Sequence, residues 1–174
     1  MKRWLCIILV LSLALGVGGC RLFRRPVPPV PEQPDDERRV EIPAEISQGE
    51  NVEPELRVYI AERGQTVTMM FEEYIQGVVA AEMDTDWPLD ALAAQAIKAR
   101  TFTLQKIAEQ GTLPNRDAHA SSDIEEFQAY NAKRINDNVR EAVEMTRGMV
   151  SVFQGEFVRS WFSAYCGGNT ATPE

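Results

Sequence analysis

The stretch FEEYIQGVVAAEMDTDWPLDALAAQAIKARTFTL, residues 71–104, decides the fold because it predicts two amphipathic helices, each with a charge on its apolar face. At roughly 100° per residue, the apolar face of the first helix consists of Phe71, Tyr74, Ile75, Val78 and Val79. Glu82 falls in the middle of that face, whereas Glu72 and Glu73 are predicted on the other side of the helix. The apolar face of the second helix contains Leu89, Leu92, Ala93, Ala96, Thr103, Leu104 and Ile107, with Arg100 at its centre. Charged side chains rarely occupy such positions unless they are paired or used.

The loop between the helices, residues 84–88, is short and polar. Pro88 suits the first turn of a new helix, and Asp86 is a suitable N-cap for it. Glu82 is therefore predicted in the last turn of the first helix, beside a loop that forms one wall of a groove. Such a position suits a carboxylate that is half-buried and still reaches a substrate.

The rest of the chain predicts an α+β fold, in which the helical hairpin that carries Glu82 is flanked by short β-hairpins. One pair of strands is predicted at 56–60 and 66–70, with a turn at Arg63-Gly64. The other predicted elements are a loop at 112–122, a third helix at 131–146, and strands at 149–153 and 157–164 that turn at Gln154-Gly155.

The N-terminal third predicts export rather than a fold. Residues 1–20 resemble a signal peptide whose Val17-Gly18-Gly19-Cys20 resembles a lipobox, with Cys20 as the lipidation site. An uncleaved membrane anchor is the alternative, and both place the domain outside the cytoplasm, against the outer face of the cytoplasmic membrane. Residues 21–54 form a proline-rich acidic linker, and the domain is assigned to 55–174. The formal net charge of −8 argues against nucleic acid as a partner.

Four segments carry a resemblance to a known family. They are EYIQGVVAAEM at 73–83 followed by WP at 87–88, ALAAQAIKART at 91–101, QAY at 128–130, and GGNT at 167–170. Together they resemble the stage II sporulation protein D (SpoIID/LytB) family, over Val58 to Thr170. Family domains run further, so the chain is expected to lack the C-terminal part of its domain.

The resemblance implies lytic transglycosylase action on bacterial cell-wall peptidoglycan, with a role in sporulation (engulfment). One acid protonates the glycosidic oxygen, and a hydroxyl of the sugar then closes a 1,6-anhydro ring. Glu82 matches the family's catalytic glutamate, and partial burial favours the protonated form that a general acid needs. Arg100 is expected to hold substrate or the loop after Glu82, with direct pairing to Glu82 as an alternative. For both residues, a buried ion pair inside the hairpin is the structural alternative.

The remaining expectations concern minor contacts, metals and partners. Gly167, Gly168 and Thr170 are expected to line the cleft, and Cys166 to be a small packing residue. Some family members bind zinc through a histidine and two cysteines, but no cysteine follows His119 before Tyr130, so neither metal nor cofactor is predicted. Glycan strands are the expected partner, together with a cell-wall amidase or another sporulation protein. The alternatives to catalysis are a glycan-binding amidase enhancer and a lipoprotein scaffold.

Overall fold

The computed structural model describes residues 40–162, which contain three helices and five strands. The helices are α1 (Phe71–Glu82), α2 (Leu89–Gln110) and α3 (Asp137–Met145). The strands are β1 (Glu55–Ile60), β2 (Gln65–Met70), β3 (Ala120–Ser121), β4 (Val152–Phe153) and β5 (Glu156–Phe157). This arrangement confirms the α+β prediction of a helical hairpin flanked by short β-hairpins.

The first sheet has the strand order β2-β1-β3. β1 pairs antiparallel with β2, and its alternate residues Leu56, Val58 and Ile60 are buried, as a period of two predicts. The loop predicted for residues 112–122 is wrong at its end, because Ala120–Ser121 forms β3 and pairs parallel with β1. A strand of two residues is too short to show an alternating pattern in the sequence.

The two helices that the sequence predicts at 71–104 are confirmed, and their apolar faces form most of the core. The start of α2 differs from the prediction, because Pro88 occupies the N-cap position and Asp86 does not cap the helix. The N–H of Asp86 instead donates to Asp84 Oδ1 at 3.1 Å, which orders the loop. Within residues 40–162, none of the helices combines the length and apolar character that crossing a membrane requires.

The third helix is shorter than predicted. Asn131 accepts a hydrogen bond from the N–H of Lys133 at 3.1 Å, which closes a separate 3₁₀ turn at Ala132–Arg134. Asn136 accepts from the N–H of Val139 at 3.0 Å and starts α3 at Asp137. Asparagine side chains compete with helical backbone hydrogen bonds, so the predicted single helix is divided in two.

The second hairpin turns where the sequence predicts it. Gln154 and Gly155 both have positive φ, 52° and 78°, as a two-residue hairpin turn requires. Its strands are shorter than predicted, since β4 and β5 pair over two residues each. The predicted end of that hairpin at Ala164 lies outside the described residues, as do the signal peptide, Cys20, Cys166, Gly167, Gly168 and Thr170.

Residues 40–54, which belong to the predicted linker, make contacts with the helices. Ile46 is buried in the core. Glu53 accepts from the N–H of Glu72 at 2.8 Å and forms an ion pair with Arg147 at 2.7 Å. The division of the chain into a linker at 21–54 and a domain at 55–174 stays a prediction.

A buried ion pair joins α1 to α2. Arg100, 1% exposed, donates from Nε to Glu72 Oε1 at 3.0 Å and from Nη2 to Glu72 Oε2 at 2.8 Å. Its Nη1 donates to the carbonyl of Met149 at 2.9 Å. The sequence pattern placed Glu72 on the solvent side of α1, which is wrong, because Glu72 is only 5% exposed. The alternative of direct pairing between Arg100 and Glu82 is also wrong.

The residue after Arg100 holds the same neighbouring segment. Thr101 Oγ1 donates to the carbonyl of Ile97 at 2.6 Å and accepts from the N–H of Ser151 at 2.9 Å. Arg100 and Thr101 therefore fix residues 149–151 against α2. This segment leads directly into β4.

Replacing Glu72 with Ala should lower the free energy of unfolding by about 3–5 kcal/mol, because it leaves the Arg100 guanidinium buried without its partner. Glu73→Ala is the matched control: Glu73 is the next residue of α1 and is exposed, so we expect a change within about 0.5 kcal/mol. Urea denaturation followed by circular dichroism measures both. Equal effects of the two substitutions would show that the ion pair does not stabilise the fold.

Candidate functional site

Glu82 is the last residue of α1, and its side chain is partly exposed. Its Oε1 accepts a hydrogen bond from the backbone N–H of Ala129 at 3.1 Å. This contact fixes the direction of the carboxylate. Because Oε1 is engaged, Oε2 is the oxygen that is left to meet a ligand.

The carboxylate of Glu82 borders a pocket of about 280 Å³. Its other lining residues come from α2, from the segment before α3 and from the segment after β5; they are Phe102, Phe127, Gln128, Ser160, Trp161 and Phe162. The loop at 84–88, predicted as one wall of a groove, does not line this pocket. Glu82 therefore lies beside an opening, but the residues that surround the opening are not those of the predicted loop.

The pocket has an aromatic wall. Phe102 packs edge-to-face against Phe127 and Phe162, with ring centroids 5.3 and 6.2 Å apart. Trp161 lies at the rim and is 76% exposed. Such aromatic surfaces accept apolar groups and the C–H faces of sugar rings, whereas the carboxylate supplies a polar end.

Two buried polar atoms adjoin the same pocket. Gln128 and Ser160 are each 3% exposed. Among residues 40–162, neither Gln128 Oε1 nor Ser160 Oγ has a hydrogen-bond partner. Buried polar atoms are almost always paired in folded proteins, so these two atoms indicate places for bound water.

Glu82 owes its hydrogen bond to the close approach of residues 128–131 to α1. The Tyr130 ring stacks on Tyr74 with centroids 5.8 Å apart, and a Cβ on Gly77 would overlap that ring. The N–H of Asn131 donates to the carbonyl of Gly77 at 2.9 Å. Gly77 thus allows the segment to lie flat on α1, which brings the Ala129 N–H to Glu82.

Tyr74 is a buried phenol next to this contact. Burial, followed by the proximity of Tyr130 and of the Glu82 charge, raises the pKa of Tyr74 well above its usual 10.0. The phenol therefore stays protonated and neutral at physiological pH. Its hydroxyl has no hydrogen-bond partner within the part of the chain that the structure describes.

Arg100 lies apart from the Glu82 pocket, in its ion pair with Glu72. Contact between Arg100 and a substrate stays a prediction. Arg134, which sequence reasoning did not single out, performs one of the roles expected of Arg100. It donates from Nη2 to the carbonyl of Met83 at 3.1 Å and so holds the start of the loop after Glu82.

His119 is buried beside β1. Its Nδ1 accepts from the N–H of Arg57 at 3.2 Å, so the neutral imidazole carries its proton on Nε2. Burial and then the Arg57 charge lower the pKa of His119 below its usual 6.5, against the opposing effects of Asp117 and Glu45. In the described range, no group of three or more His, Cys, Asp or Glu side chains is placed to hold a metal ion.

Sequence reasoning missed Ser160 and Trp161 as pocket residues. It placed both on a predicted strand, and no periodicity marks a residue that reaches a pocket from outside a helix. For Gln128, the sequence offers only its place in the QAY motif. The signal for its role is structural, because its side chain is buried and only one end of its amide is hydrogen-bonded.

Comparisons with known proteins point to one family. The family model described as stage II sporulation protein, SpoIID, matches residues 61–153, just over half of the chain. Glu82, Arg100 and Gln128 lie within that range, whereas Ser160 and Trp161 lie beyond it.

Curated relatives match over a limited part of their own length. An uncharacterized protein of Brachyspira hyodysenteriae is 38% identical over 104 residues, which are 59% of this chain and 27% of that protein. The amidase enhancer of Bacillus subtilis is 34% identical over 96 residues, 55% of this chain and 12% of that protein. Stage II sporulation protein D of Bacillus amyloliquefaciens is 26% identical over 129 residues, which cover 67% of this chain and 38% of that protein. The chain therefore spans well under half the length of each.

Gly77→Ala should destabilise the protein by about 1–2 kcal/mol. Replacing glycine by alanine inside a helix normally stabilises it by roughly 0.5–1 kcal/mol, but overpacking costs about 1–3 kcal/mol, and here the added methyl meets the Tyr130 ring. In a Tyr130→Ala background the same substitution should become stabilising. Urea denaturation of the four proteins measures this reversal of sign, and a stabilising Gly77→Ala in the wild-type background would contradict it.

Stability should fall as the pH is lowered through 6.5, because the unfolded chain then binds a proton that native His119, with its lowered pKa, does not. The loss continues down to the native pKa and is absent above about pH 7.5. His119→Asn keeps an acceptor for the Arg57 N–H but does not titrate, so its melting temperature should change less between pH 7.5 and 5.5. Since His119 is the sole histidine of the chain, parallel pH profiles of the two proteins would contradict this assignment.

Proposed function

The chain belongs to the stage II sporulation protein D family, and from this premise we propose that it remodels bacterial cell-wall peptidoglycan in sporulation. We further propose that it is a lytic transglycosylase that cleaves glycan strands to 1,6-anhydro ends. The observation that supports lytic transglycosylase activity is the position of Glu82. Its half-buried carboxylate is held by the Ala129 N–H at the edge of a pocket with an aromatic wall. The more general proposal, a role in peptidoglycan remodelling, is supported by the relatives whose names refer to sporulation and to amidase enhancement.

The reaction needs a single carboxyl group. Protonated Glu82 donates its proton to the glycosidic oxygen, and the bond between that oxygen and C1 breaks with its electron pair going to the leaving sugar. The O6 hydroxyl of the remaining sugar then bonds to C1 and returns its proton to Glu82. No water is consumed, so the second carboxylate of an ordinary glycosidase is not required.

Glu82 is suited to both proton transfers by its surroundings. The hydrogen bond from Ala129 orients the carboxyl group and leaves Oε2 for the substrate. The aromatic side chains of Phe102 and Phe127 line the same pocket and form its apolar wall. Arg100 does not compete for the Glu82 carboxyl group, because it is already paired with Glu72.

The location of the protein is part of the proposal. We propose that residues 1–20 direct export and that lipid on Cys20 holds the chain at the outer face of the cytoplasmic membrane, with the proline-rich linker as a spacer. A domain held this way faces the wall. The cleft contacts of Gly167, Gly168 and Thr170 belong to the same proposal.

A glycan-binding protein that stimulates a cell-wall amidase is the second candidate function. What supports it is the 34% identity to a protein named amidase enhancer. In that case the pocket would bind sugar without proton transfer by Glu82. A lipoprotein scaffold in a sporulation complex would use neither.

Glu82→Gln decides between these functions. The full chain is incubated with intact cell wall and with peptide-stripped glycan strands, and anhydro ends are measured by mass spectrometry. Wild type should produce them, and Glu82→Gln should lower the rate by at least about a hundredfold, as loss of a general acid does. The amide retains the size of the side chain and its acceptor for the Ala129 N–H, so the melting temperature should change little.

Glu73→Gln is the matched control, since it makes the same chemical change at an exposed position of the same helix. It should cleave like wild type. Undiminished cleavage by Glu82→Gln would remove Glu82 from the mechanism. Glycan binding without anhydro ends would replace the transglycosylase by the amidase enhancer, and absence of both would favour the scaffold.

A further inference from the structure

We propose that β2 is a contact surface for a second copy of this chain, in which the two β2 strands pair antiparallel and join the two three-stranded sheets into one. This contact is independent of the function proposed above. Four properties of residues 63–73 support it: an open hydrogen-bonding edge, a sequence without protection against pairing, a register in which the strand complements itself, and exposed charges of opposite sign at its two ends.

The open edge follows from the position of β2 in the sheet. β2 is an edge strand, because the strand order is β2-β1-β3. In an antiparallel pair, alternate residues bond the neighbouring strand, and the residues between them direct their N–H and C=O groups away from it. Among residues 40–162, no backbone hydrogen bond joins Gln65–Met70 to any segment but β1. The outer side of β2 is therefore a template on which another strand can pair.

The sequence of β2 lacks the features that usually keep edge strands apart. Such strands are protected by charges, a proline or a bulge, or by being very short. β2 reads QTVTMM over six residues, without charge, proline or glycine. The other edge strand of this sheet, β3, is two residues long and is protected by its length. β2 therefore has nothing in its own sequence that opposes pairing with another strand.

The side chains of β2 are available for contact on both faces. Thr66 and Thr68 are exposed on one face, where Met70 is 39% exposed. Val67 and Met69 point to the other face, where they are half-buried and line a pocket of about 370 Å³. A strand added to β2 would cover much of the apolar surface that these residues leave in contact with water.

A second copy fits this edge in one register. In two copies related by a two-fold axis perpendicular to the sheet, equivalent faces lie on the same side, so odd positions oppose odd ones and even positions even ones. With the axis at Thr68, the two Thr68 side chains face each other and Val67 opposes the partner's Met69. Both are favourable cross-strand pairs. With the axis at Val67, Met69 would instead oppose the partner's Gln65.

Charges at the ends of β2 favour the same register. Continuing the pairing past the strand ends brings Arg63 beside the partner's Glu73. Both side chains are exposed, and within residues 40–162 neither takes part in an ion pair. With the axis at Val67, Arg63 would lie beside the partner's Phe71. Exposed ion pairs add little affinity, but they select one register and one partner over others.

Sedimentation velocity of the full chain measures the association. We expect a monomer–dimer equilibrium that shifts toward the dimer over about a hundredfold increase in concentration, since a single strand pair is a small and reversible interface. Peptides that cover residues 65–70 should exchange their amide hydrogens more slowly at the high concentration. A monomer at every concentration, or a dimer in which residues 65–70 exchange as fast as in the monomer, would overturn the proposal.

Substitutions at the axis test the register. Thr68→Lys or Thr68→Glu places two like charges opposite each other, so each variant should dissociate at least about tenfold more readily, and an equimolar mixture of the two should associate again as a heterodimer. Arg57 on β1 lies opposite Thr68. Within the monomer a Lys at this position meets a like charge and a Glu an opposite one, so a change in monomer stability does not explain loss of the dimer in both variants.

Thr66 is the matched control position, because it is an exposed threonine on the same strand and the same face. In this register it opposes the partner's Met70. Mixing Thr66→Lys with Thr66→Glu should therefore not associate more tightly than either variant alone. Association restored by the Thr66 mixture and not by the Thr68 mixture would reject the register and the proposal with it.

Charge reversal tests the ends of the strand. Arg63→Glu and Glu73→Arg should each weaken the dimer, because each brings like charges together across the contact. The chain that carries both substitutions should regain the association of the wild type. A doubly substituted chain that associates no better than either single variant would overturn the assigned contact.

Discussion

The ion pair between Arg100 and Glu72 is the contact on which the arrangement of the helices depends. Taking two charges out of water is unfavourable by several kcal/mol for each ion, and only complete pairing offsets it. Here the guanidinium forms two parallel bonds with the carboxylate, and a third bond goes to Met149, which lies beyond α3. One side chain thus joins α1, α2 and the segment that leads to β4. Since the chain then returns to the pocket at Ser160, the pocket wall depends on a charge pair that does not touch it.

A second constraint on the structure is the absence of a side chain at Gly77. Gly77 makes room for the Tyr130 ring on α1, and the Ala129 N–H reaches Glu82 because the segment lies so close to the helix. A functional carboxyl group must be held within a few tenths of an ångström, and a backbone donor on a docked segment does this better than a flexible side chain. Gly77 and Tyr130 therefore both contribute to the position of the N–H that holds the Glu82 carboxylate.

Periodicity predicted what a helix determines by itself. The faces of α1 and α2, and Glu82 near the apolar face of α1, follow from the spacing of apolar residues. The burial of Glu72 does not, because it depends on residues 147–149, which cover that side of α1 from a distant part of the sequence. For the same reason β3, the division of the third helix and the pocket residues after β5 could not be predicted, since each is decided by a partner outside its own segment.

Glu82 and Arg100 gave the same signal in the sequence, a charge on an apolar helical face, and their surroundings separate them. Arg100 is 1% exposed and already donates three hydrogen bonds, two to Glu72 and one to the carbonyl of Met149. Glu82 is partly exposed, receives one hydrogen bond from a backbone N–H, and has one oxygen left over. The opening beside that oxygen is lined by aromatic residues from two different segments, Phe102 and Phe127, so an apolar surface and a free carboxylate oxygen occur together at Glu82 and not at Arg100.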